Sequence, residues 1–332
     1  MRILHIAPFF EGSTSNRRAK SFEKIGFKVN KYDVDLHYKY WARGLISFAR
    51  RFPWSLVHRK INKEIYKTAF LYEPEIFFVE KAKFLYPETV RKLKKLFPKS
   101  IWLHFSPDDY QNPNNSNWHQ RRNLKYFDRI ITTKAHNVEW LKSCYGDRID
   151  LVLSGGPEAM GNISNENYLY QISFIGQYES ERAQSILKLS KYAKIDVFGP
   201  DWELLEGYSE NIALHPPVWG EDYINTIRNS NINLCFLRKA NRDLSTTRTF
   251  ELASVGALMV AERTDEHEKL FIENKEVLFF SDDDELRQVV QRIISEPNRL
   301  EWDAMRQNLL NKYKSSAYSD LDIWRGYLKR FA

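Results

Sequence analysis

The sequence predicts an α/β protein with two Rossmann-like domains, each built around a parallel sheet. Short apolar runs of strand length alternate with segments of helical spacing along the chain, which is typical of βαβ units. A stretch rich in Gly, Ser and Asn, residues 154–165, interrupts this alternation near the middle. The 332 residues also suffice for two cores. We therefore predict an N-terminal domain at 1–155 and a C-terminal domain at 165–317.

The N-terminal half opens with a strand, a helix and a second strand, which is a βαβ beginning. Its strands are predicted at 3–7, 27–34, 75–80, 100–105, 128–133 and 149–153, and its helices at 17–24, 87–97 and 135–145. Residues 106–117 are predicted to form a long polar loop. Gly12 in the first loop lacks the partners of a G-x-G-x-x-G fingerprint, so that loop predicts no dinucleotide site.

The C-terminal half repeats the alternation of strands and helices. Its strands are predicted at 168–176, 194–198, 232–237, 257–261 and 277–280. Its helices are predicted at 180–192, 220–230, 247–255, 266–272, 283–294, 302–314 and 320–331. Gly256 is expected to stop the helix that precedes it.

The segment 231–260 organises this half, because it joins a strand, a basic polar loop and a helix N-terminus. That combination forms an anion site in an open α/β sheet. The donors and positive charges of the loop are Arg238, Lys239, Arg242, Ser245, Thr246, Thr247 and Arg248. Glu251 follows one turn into the helix, where a carboxylate suits the two vicinal hydroxyls of a ribose. An ordinary capped helix beside a solvated basic loop explains the same pattern.

Several motifs resemble those of glycosyltransferases. Seven residues separate Asp243 from Glu251, and Glu251-Leu-Ala-Ser-Val-Gly256 follows, which resembles the E-x7-E motif of the group-1 (GT-B) enzymes. The run Arg248-Thr-Phe-Glu251, with Ala253, Gly256 and Ala257, resembles the group that includes the spore-maturation CgeB-like proteins. Other similar pieces occur in order along the chain: Pro107-Asp-Asp109, Ile172-Ser-Phe-Ile-Gly176 with Arg182, and Asp196-Val-Phe-Gly-Pro200 with Trp202.

The resemblance implies a fold and a donor site. In GT-B enzymes the two domains face each other across a cleft, and a C-terminal helix, here about 318–332, packs back on the first domain. The C-terminal domain would bind a nucleotide-diphosphate sugar, with Glu251 on the ribose and the neighbouring loop on the diphosphate. Arg182 would reach the diphosphate, although a surface role explains it equally well. Gly199 and Pro200 lie where such folds place the base, and Asp243 replaces the usual first Glu with a shorter side chain.

Acids after the fourth predicted strand are candidates for catalysis. Asp108 and Asp109 are expected at the carboxyl end of that strand, where either would act as general base, orient the acceptor hydroxyl or hold the donor sugar. His104, one position inside the strand end, would contact the sugar. The alternative is that Asp109 caps a turn and His104 is a buried histidine. By analogy with GT-B enzymes, Gly12, Ser13 and Arg17 belong to the acceptor and sugar loop, with a plain loop as the alternative.

Residues 39–67 carry eight basic residues against the single acid Glu64, interleaved with Tyr, Trp, Phe and Leu. A basic, aromatic-rich amphipathic segment is suited to an anionic membrane surface. The alternative is a core-packed helix pair, its halves separated by Pro53, with a solvated basic face. The formal net charge of +7 also favours an anionic partner, but no nucleic-acid-binding module accompanies it, so no nucleic acid is expected.

The two cysteines lie far apart, without metal-ligand spacing, and fit a reducing compartment. Because no secretory signal or membrane-spanning run is visible, we expect a cytoplasmic protein. It would be peripheral on the inner face of the membrane if 39–67 binds lipid. The resemblance further implies metal-independent chemistry, with no cofactor other than the donor substrate.

The leading hypothesis is a glycosyltransferase that moves a sugar from a nucleotide-diphosphate sugar to an acceptor such as a cell-envelope or lipid-linked glycan, as in polysaccharide biosynthesis. Its similarity to E-x7-E families favours retention of the anomeric configuration. Three alternatives remain open: a non-catalytic two-lobed protein that binds a sugar or nucleotide, a basic scaffold on membranes or nucleic acid, and a sugar-nucleotide epimerase on the same fold.

Overall fold

The computed structural model describes residues 1–38, 55–161, 167–207, 209–295 and 299–331. They divide into two compact units. Unit 1 comprises Met1–Leu153, Ala240–Arg242 and Leu321–Ala332, and unit 2 comprises Ser154–Lys239 and Asp243–Asp320. Within the described ranges, no helix is long and apolar enough to cross a membrane.

Unit 1 is a six-stranded parallel sheet with the strand order β2-β1-β3-β4-β5-β6. Its strands are β1 (Arg2–Ala7), β2 (Lys28–Asp33), β3 (Ile76–Glu80), β4 (Ile101–Ser106), β5 (Arg129–Thr132) and β6 (Ile149–Leu151). Its helices are α1 (Thr14–Ile25), α2 (Leu56–Tyr72), α3 (Pro87–Leu96), α4 (Trp118–Leu124) and α5 (Ala135–Tyr145). The helix Asp320–Leu328, numbered α12 by its place in the chain, packs on the same sheet.

Successive residues of β3 point to opposite faces of the sheet and build a core layer on each. On one face Phe77 stacks on Trp102 with the ring centroids 3.9 Å apart. On the other face Trp324 of α12 meets Phe78 edge-on, with centroids 5.2 Å apart. Phe22 of α1 packs edge-on against the same indole. The C-terminal helix therefore covers a sheet face that would otherwise expose aromatic surface.

A second contact fixes the end of this helix. Asp150 of β6 accepts hydrogen bonds from Arg129, Arg330 and the Tyr327 hydroxyl, the last at 2.6 Å. Burial alone would raise the pKa of Asp150, but these donors outweigh it and lower the pKa to about 2. The carboxylate is therefore charged at neutral pH and ties the chain end to the sheet edge.

A charged cluster lies buried in unit 1, where the sequence analysis places only strand and helix residues. Glu80, at the carboxyl end of β3, accepts hydrogen bonds from Arg18 Nε at 2.9 Å and Nη2 at 3.0 Å. His5 Nε2 lies 2.7 Å from Oε1 of the same carboxylate, and Ser15 Oγ donates to Oε2 at 3.0 Å. The Arg18 guanidinium also lies 4.3 Å from the Phe105 ring centroid. The cluster links α1 to the centre of the sheet.

Unit 2 is also a six-stranded parallel sheet, with the order β12-β11-β10-β7-β8-β9. Its strands are β7 (Tyr170–Ile175), β8 (Ile195–Phe198), β9 (Ile212–His215), β10 (Ser230–Cys235), β11 (Met259–Glu262) and β12 (Leu278–Phe280). Its helices are α6 (Ser180–Leu189), α7 (Gly220–Arg228), α8 (Thr247–Ser254), α9 (Asp265–Leu270), α10 (Asp283–Ser295) and α11 (Arg299–Ser315).

The strand order of each unit contains one switch point. In unit 2 the chain runs from β7 outward to β9, then returns to β10 on the other side of β7 and continues to β12. In unit 1 the corresponding neighbours are β1 and β3. Open α/β sheets bind ligands outside the carboxyl ends of the strands at such a point. In unit 2 a ligand is therefore expected at the loops that follow β7 and β10.

The sequence predictions omit two elements, β9 and α4. Strand β9 is a short edge strand whose Ala213 and Leu214 are exposed, so it lacks the buried apolar run that marks a strand. Helix α4 begins after Asn117, whose Oδ1 accepts the Gln120 N–H. Its residues are mostly polar, so the sequence predicts a continuation of the preceding loop instead of a helix. Residues 39–54 of the predicted basic segment lie outside the described residues, whereas 55–67 fall at the Ser55 cap and in α2.

Candidate functional site

The candidate site lies where β7 and β10 end, side by side in the unit 2 sheet. After β7 the chain turns at Gly176 and enters α6, which carries Arg182. After β10 it passes through Arg238 and Lys239 and reaches α8, which carries Arg248. The parallel register thus brings together basic residues that are about sixty positions apart in the sequence.

Arg182 is a buried base of this group, with only 8% of its surface exposed. Its Nη2 donates to Glu179 Oε2 at 2.8 Å and to the Leu237 carbonyl at 3.2 Å. Its Nε is buried and has no hydrogen-bond partner in the described part of the chain. Burial, together with the nearby Arg248 charge, lowers the pKa of Arg182. An anion bound beside Arg182 would offset both the cost of burying its charge and the repulsion from Arg248.

Arg248 packs against the same aromatic ring as Arg182. The two guanidinium carbons lie 5.1 Å and 5.5 Å from the Phe174 ring centroid. Gly176 leaves the space that this requires, since a Cβ added there would lie 2.7 Å from Arg248 Nη2. Arg248 Nε is buried without an acceptor among the described residues. Buried donors are normally satisfied, so this guanidinium is built to receive an acceptor.

Two acids that the sequence analysis missed partly neutralise the basic loop. Glu179 Oε1 accepts from Arg238 Nε at 2.7 Å, and Glu262, at the end of β11, pairs with Lys239. Glu262 also accepts the Leu237 N–H at 2.9 Å, which fixes the start of the loop. The four bases Arg182, Arg238, Lys239 and Arg248 thus outnumber the two acids that pair with them, Glu179 and Glu262. The positive charge that is left over suits an anionic ligand such as a diphosphate.

Glu251 lies in α8, one turn beyond its start, and is half-buried. Tyr223 of α7 donates its hydroxyl to Glu251 Oε2 at 2.7 Å. Burial and the Glu251 charge raise the pKa of Tyr223, so the hydroxyl keeps its proton and remains a donor. This bond sets the orientation of the carboxylate. Nothing local in the sequence indicates Tyr223, which precedes Glu251 by 28 positions.

The predicted base position, Gly199 and Pro200, follows β8 beside this group. Gly199 adopts φ +157, and an added Cβ would lie 2.0 Å from the Gly176 carbonyl oxygen. Trp202 donates its indole N–H to that same carbonyl at 2.7 Å. The turn after β8 therefore packs backbone to backbone on the turn after β7. Both glycines are required by close approach.

The start of α8 carries the remaining predicted donor residues. Thr246 is the N-cap residue, and its N–H donates to Thr249 Oγ1 at 3.2 Å. Thr247 is half-buried in the first turn, where backbone N–H groups face away from the helix and attract anions. Ser245 is buried and donates to Glu266 Oε1 at 2.6 Å, and its role on the donor stays a prediction. Asp243 is half-buried, and its role on the donor stays a prediction.

Asp109 in unit 1 is buried and held in an ion pair. Its carboxylate, 3% exposed as a residue, accepts from Arg242 Nε at 2.7 Å and Nη2 at 2.9 Å. Its backbone N–H donates to Asn241 Oδ1 at 2.7 Å. Burial would raise the pKa of Asp109, but the bonds from Arg242 and from the Gln111 N–H outweigh it and lower the pKa. Asp109 therefore anchors the segment Ala240–Arg242 and is a poor general base. Arg242, predicted among the anion donors, serves as its partner.

The other two catalytic candidates have different surroundings. Asp108 Oδ2 pairs with Lys81 Nζ at 2.8 Å at the end of β3, and its proposed role stays a prediction. His104 is fully buried, and its Nδ1 lies 2.8 Å from the Tyr110 hydroxyl. Burial lowers the pKa of His104 to about 3, so the ring is neutral. His104 is thus a buried, neutral histidine in this structure, and its contact with the sugar stays a prediction.

The first loop of unit 1 contains Gly12, Ser13 and Arg17. Ser13 is buried, and its Oγ accepts the Asn16 N–H at 3.2 Å as the N-cap of α1. Its assignment to the acceptor and sugar loop stays a prediction. Gly12 is exposed with φ +74, a conformation that favours glycine, and Arg17 lies in the first turns of α1. For Gly12 and Arg17 the acceptor role stays a prediction.

The structure thus brings together the bases Arg182, Arg238, Lys239 and Arg248 with Glu251 and Gly199 in unit 2. Ser245 contacts Glu266, and Arg242 pairs with Asp109 of unit 1. Among the residues that the structure covers, no group of three His, Cys, Asp or Glu side chains is placed to hold a metal ion. Metal independence therefore rests on the resemblance alone.

Comparison with known proteins bears on these observations. Residues 181–318, of which all but Ala240–Arg242 belong to unit 2, match the protein family described as "Glycosyl transferase-like". This match contains Arg182, Gly199, Arg248 and Glu251. The chain matches none of the curated proteins compared with it. The closer likeness to the CgeB-like group stays a prediction.

Three solved structures illustrate the fold. The chain is 12% identical to sucrose-phosphate synthase from Thermosynechococcus elongatus, with a TM-score of 0.72 over 99% of this chain and 98% of that one. It is 8% identical to HepE from Anabaena, solved in complex with UDP-glucose, with a TM-score of 0.69 over 100% of both chains. It is 14% identical to UDP-GlcNAc 2-epimerase from Neisseria meningitidis, with a TM-score of 0.57 over 99% and 100%. These likenesses confirm the predicted fold class, two parallel α/β sheets of the GT-B type.

Proposed function

We propose that the protein is a glycosyltransferase that uses a nucleotide-diphosphate sugar as its donor. The observation that carries this proposal is the guanidinium of Arg248, packed on Phe174 with a buried Nε that has no acceptor in the described part of the chain. Arg182 lies against the same ring with a second buried Nε of the same kind. Two such donors beside a helix N-terminus suit a diphosphate. The family match of residues 181–318 supports the same conclusion.

The chemistry follows from where charge develops. When the bond between the anomeric carbon and the diphosphate oxygen breaks, negative charge grows on the leaving diphosphate. Arg182, Arg248 and the first turn of α8 would stabilise that charge in place, without reorganisation. Glu251, held by Tyr223, would accept hydrogen bonds from the ribose hydroxyls. The tight turns at Gly176 and Gly199 would admit the nucleotide close to the backbone.

The finer features of the reaction rest on the resemblance. We propose metal-independent chemistry, retention of the anomeric configuration, and an acceptor role for unit 1. The UDP-glucose complex of HepE makes a UDP-sugar the first donor to test. Asp109, being paired with Arg242, is not assigned as the base in this scheme.

A donor assay tests the function. Purified protein is incubated with UDP-, GDP-, ADP-, CDP- and dTDP-sugars, and the release of nucleoside diphosphate and the sugar products are followed by chromatography. We expect one donor class to release its diphosphate. In Glu251→Ala the release should fall roughly 10- to 100-fold, because hydrogen bonds from the ribose to a charged acceptor are lost.

The matched control is Glu203→Ala, a change at an exposed acid of the same unit. It should leave the rate unchanged. Full activity in Glu251→Ala would contradict the ribose assignment. A sugar nucleotide that is isomerised without release of diphosphate would instead identify an epimerase, the activity named for the Neisseria relative.

The acceptor is proposed to be a cell-envelope or lipid-linked glycan reached from an anionic membrane surface. Helix α2 buries Val57, Ile61, Ile65 and Ala69 against unit 1. Its outer face carries the exposed bases Arg59, Lys60, Lys63 and Lys67 with the exposed apolar residues Phe70 and Leu71, which are 59% and 83% accessible. A basic face with apolar side chains fits a headgroup layer.

Membrane binding is tested by flotation with vesicles. We expect binding to vesicles of phosphatidylglycerol and phosphatidylcholine but not to phosphatidylcholine alone. The triple variant Lys60→Gln, Lys63→Gln, Lys67→Gln should bind about 100-fold more weakly, since each base near such a surface contributes ~1 kcal/mol. The matched control neutralises Arg91, Lys92 and Lys95, exposed bases of α3. Equal losses in both triple variants would show a net-charge effect and refute the assignment to α2.

A further inference from the structure

Unit 2 contains a second concave region, away from the anion site. It is an open pocket of about 780 Å³ at the amino ends of β7, β8 and β10, lined among others by Tyr168, Tyr170 and Tyr192. The basic residues of the donor site follow the carboxyl ends of the same strands. A strand of six residues spans roughly 20 Å, so the two regions lie at opposite ends of the strands and share no residue. We call this region the tyrosine–amide pocket.

Aromatic rings form part of its wall. Tyr192 is 52% exposed, and the Arg287 guanidinium carbon lies 5.5 Å from its ring centroid. Tyr170 packs edge-on against Phe198 with centroids 5.2 Å apart, which fixes its ring. Tyr168 has the Arg306 guanidinium carbon 5.0 Å from its centroid. Rings held in this way offer apolar faces and a polar tip at little entropic cost.

Side-chain amides supply the polar part of the wall. In three of them, one of the two polar atoms of the amide makes a hydrogen bond to the protein. Gln171 Oε1 accepts the Lys194 N–H at 3.1 Å, and Asn211 Nδ2 donates to the Ser190 carbonyl at 2.8 Å. Asn231 Oδ1 accepts from Arg306 Nη2 at 2.8 Å. The opposite amide atoms, Gln171 Nε2, Asn211 Oδ1 and Asn231 Nδ2, make no hydrogen bond within the described part of the chain. They are therefore pre-oriented donors and acceptors in an open pocket.

This lining selects among ligand classes. An apolar ligand does not fit, because the wall is mainly amides, tyrosines and charged groups, with Leu169 and Ala193 as its aliphatic members. A polyanion does not fit well either, since the lining contains the acid Asp196 beside the two lysines Lys191 and Lys194. Asp196 Oδ1 lies 2.7 Å from His215 Nε2, which holds that carboxylate at the wall. Neutral hydroxyls both donate and accept, as the amides do, and sugar rings present C–H faces to tyrosines.

We propose that the tyrosine–amide pocket binds a neutral oligosaccharide. Binding there needs neither the anion site nor its charges. Where the transfer proposed above holds, this oligosaccharide is part of the acceptor or product glycan, retained on unit 2 at a distance from the donor. The role of the oligosaccharide as acceptor or product rests on the proposed function, whereas its binding to the pocket does not.

The test is direct binding of sugars to the full chain. Maltohexaose, cellohexaose, chitohexaose and mannohexaose are titrated into wild type and into the double variant Asn167→Ala, Tyr192→Ala by calorimetry. Both positions are exposed, so the fold should be retained, which the melting temperature checks. We expect at least one hexaose to bind wild type and to bind the double variant about 10-fold or more weakly, through loss of ring and amide contacts.

The matched control is Tyr66→Ala, at a partly exposed tyrosine of unit 1, which should bind as wild type does. Absence of binding by all four hexaoses, or equal affinity in the double variant, would overturn the proposal. Titration of UDP into the same double variant separates the two sites. Unchanged UDP binding with lost hexaose binding supports a distinct glycan pocket. Hexaose binding by a protein without transferase activity would refute the proposed function and leave the pocket standing.

Discussion

Replacing Arg248 with methionine is expected to lower kcat for sugar transfer roughly 100- to 1,000-fold, the usual effect of removing one donor aimed at developing charge. Methionine keeps the length and the apolar contact with Phe174 but removes every N–H and the positive charge. The Arg248 guanidinium lies against that ring and fills the space that Gly176 leaves open. Because the side chain has few structural partners, the loss should appear mainly in catalysis rather than in folding.

Steady-state kinetics with the donor found in the panel measures this effect. The matched control is Arg292→Met, at an exposed arginine that packs over the Trp302 ring. Because this is a surface site, we expect kcat to change by less than about twofold. Arg248→Lys should recover part of the rate, since it restores charge without the planar fork. A kcat for Arg248→Met within a fewfold of wild type would show that the guanidinium does not stabilise the leaving group.

Replacing Glu80 with glutamine is expected to lower the free energy of unfolding by about 3–5 kcal/mol, the range for breaking a buried ion pair from one side. The Glu80 carboxylate and the Arg18 guanidinium are both almost fully buried, at 3% and 2% exposure. Burial would raise the pKa of Glu80, but Arg18 and His5 outweigh it and lower the pKa. Glutamine would leave the Arg18 charge buried without a counterion.

Urea unfolding of unit 1, followed by tryptophan fluorescence, measures the loss. The double variant Glu80→Gln, Arg18→Met is the decisive companion, because it removes the stranded charge and keeps similar volume. We expect it to be more stable than Glu80→Gln alone, by a coupling of at least about 1 kcal/mol. Additive losses in the double variant would show that the pair is not a buried, mutually compensating charge.

The fold and the basic loop after β10 were predictable because their signals are local. Apolar runs of strand length such as Ile232–Leu237 are buried in unit 2, and each is followed by a helix of the expected spacing. In parallel sheets the carboxyl ends of neighbouring strands share one edge. Arg182, which follows β7, and Arg248, which follows β10, therefore meet at Phe174 as the order of elements implies.

Partners that are distant in sequence were not predictable. Asp109 meets Arg242 across 133 positions, and no local pattern in the sequence indicates this pairing. Glu80 and Arg18, 62 positions apart, each look like ordinary strand-end and helix residues until the fold joins them. His104 is the fourth residue of β4, and its partner Tyr110 lies in the loop beyond the strand, which the strand pattern does not indicate. Side-chain partners at such separations are set by tertiary packing rather than by local pattern.

The central claim is that the guanidinium groups beside Phe174 bind a nucleoside diphosphate. Calorimetric titration of UDP, GDP, ADP, CDP and dTDP into wild type and Arg248→Met tests it most directly. We predict that wild type binds at least one of the five diphosphates and that Arg248→Met binds it at least about tenfold more weakly, as expected for a lost charge-assisted hydrogen bond. Wild type that binds none of them, or a variant that binds as tightly as wild type, would contradict the account.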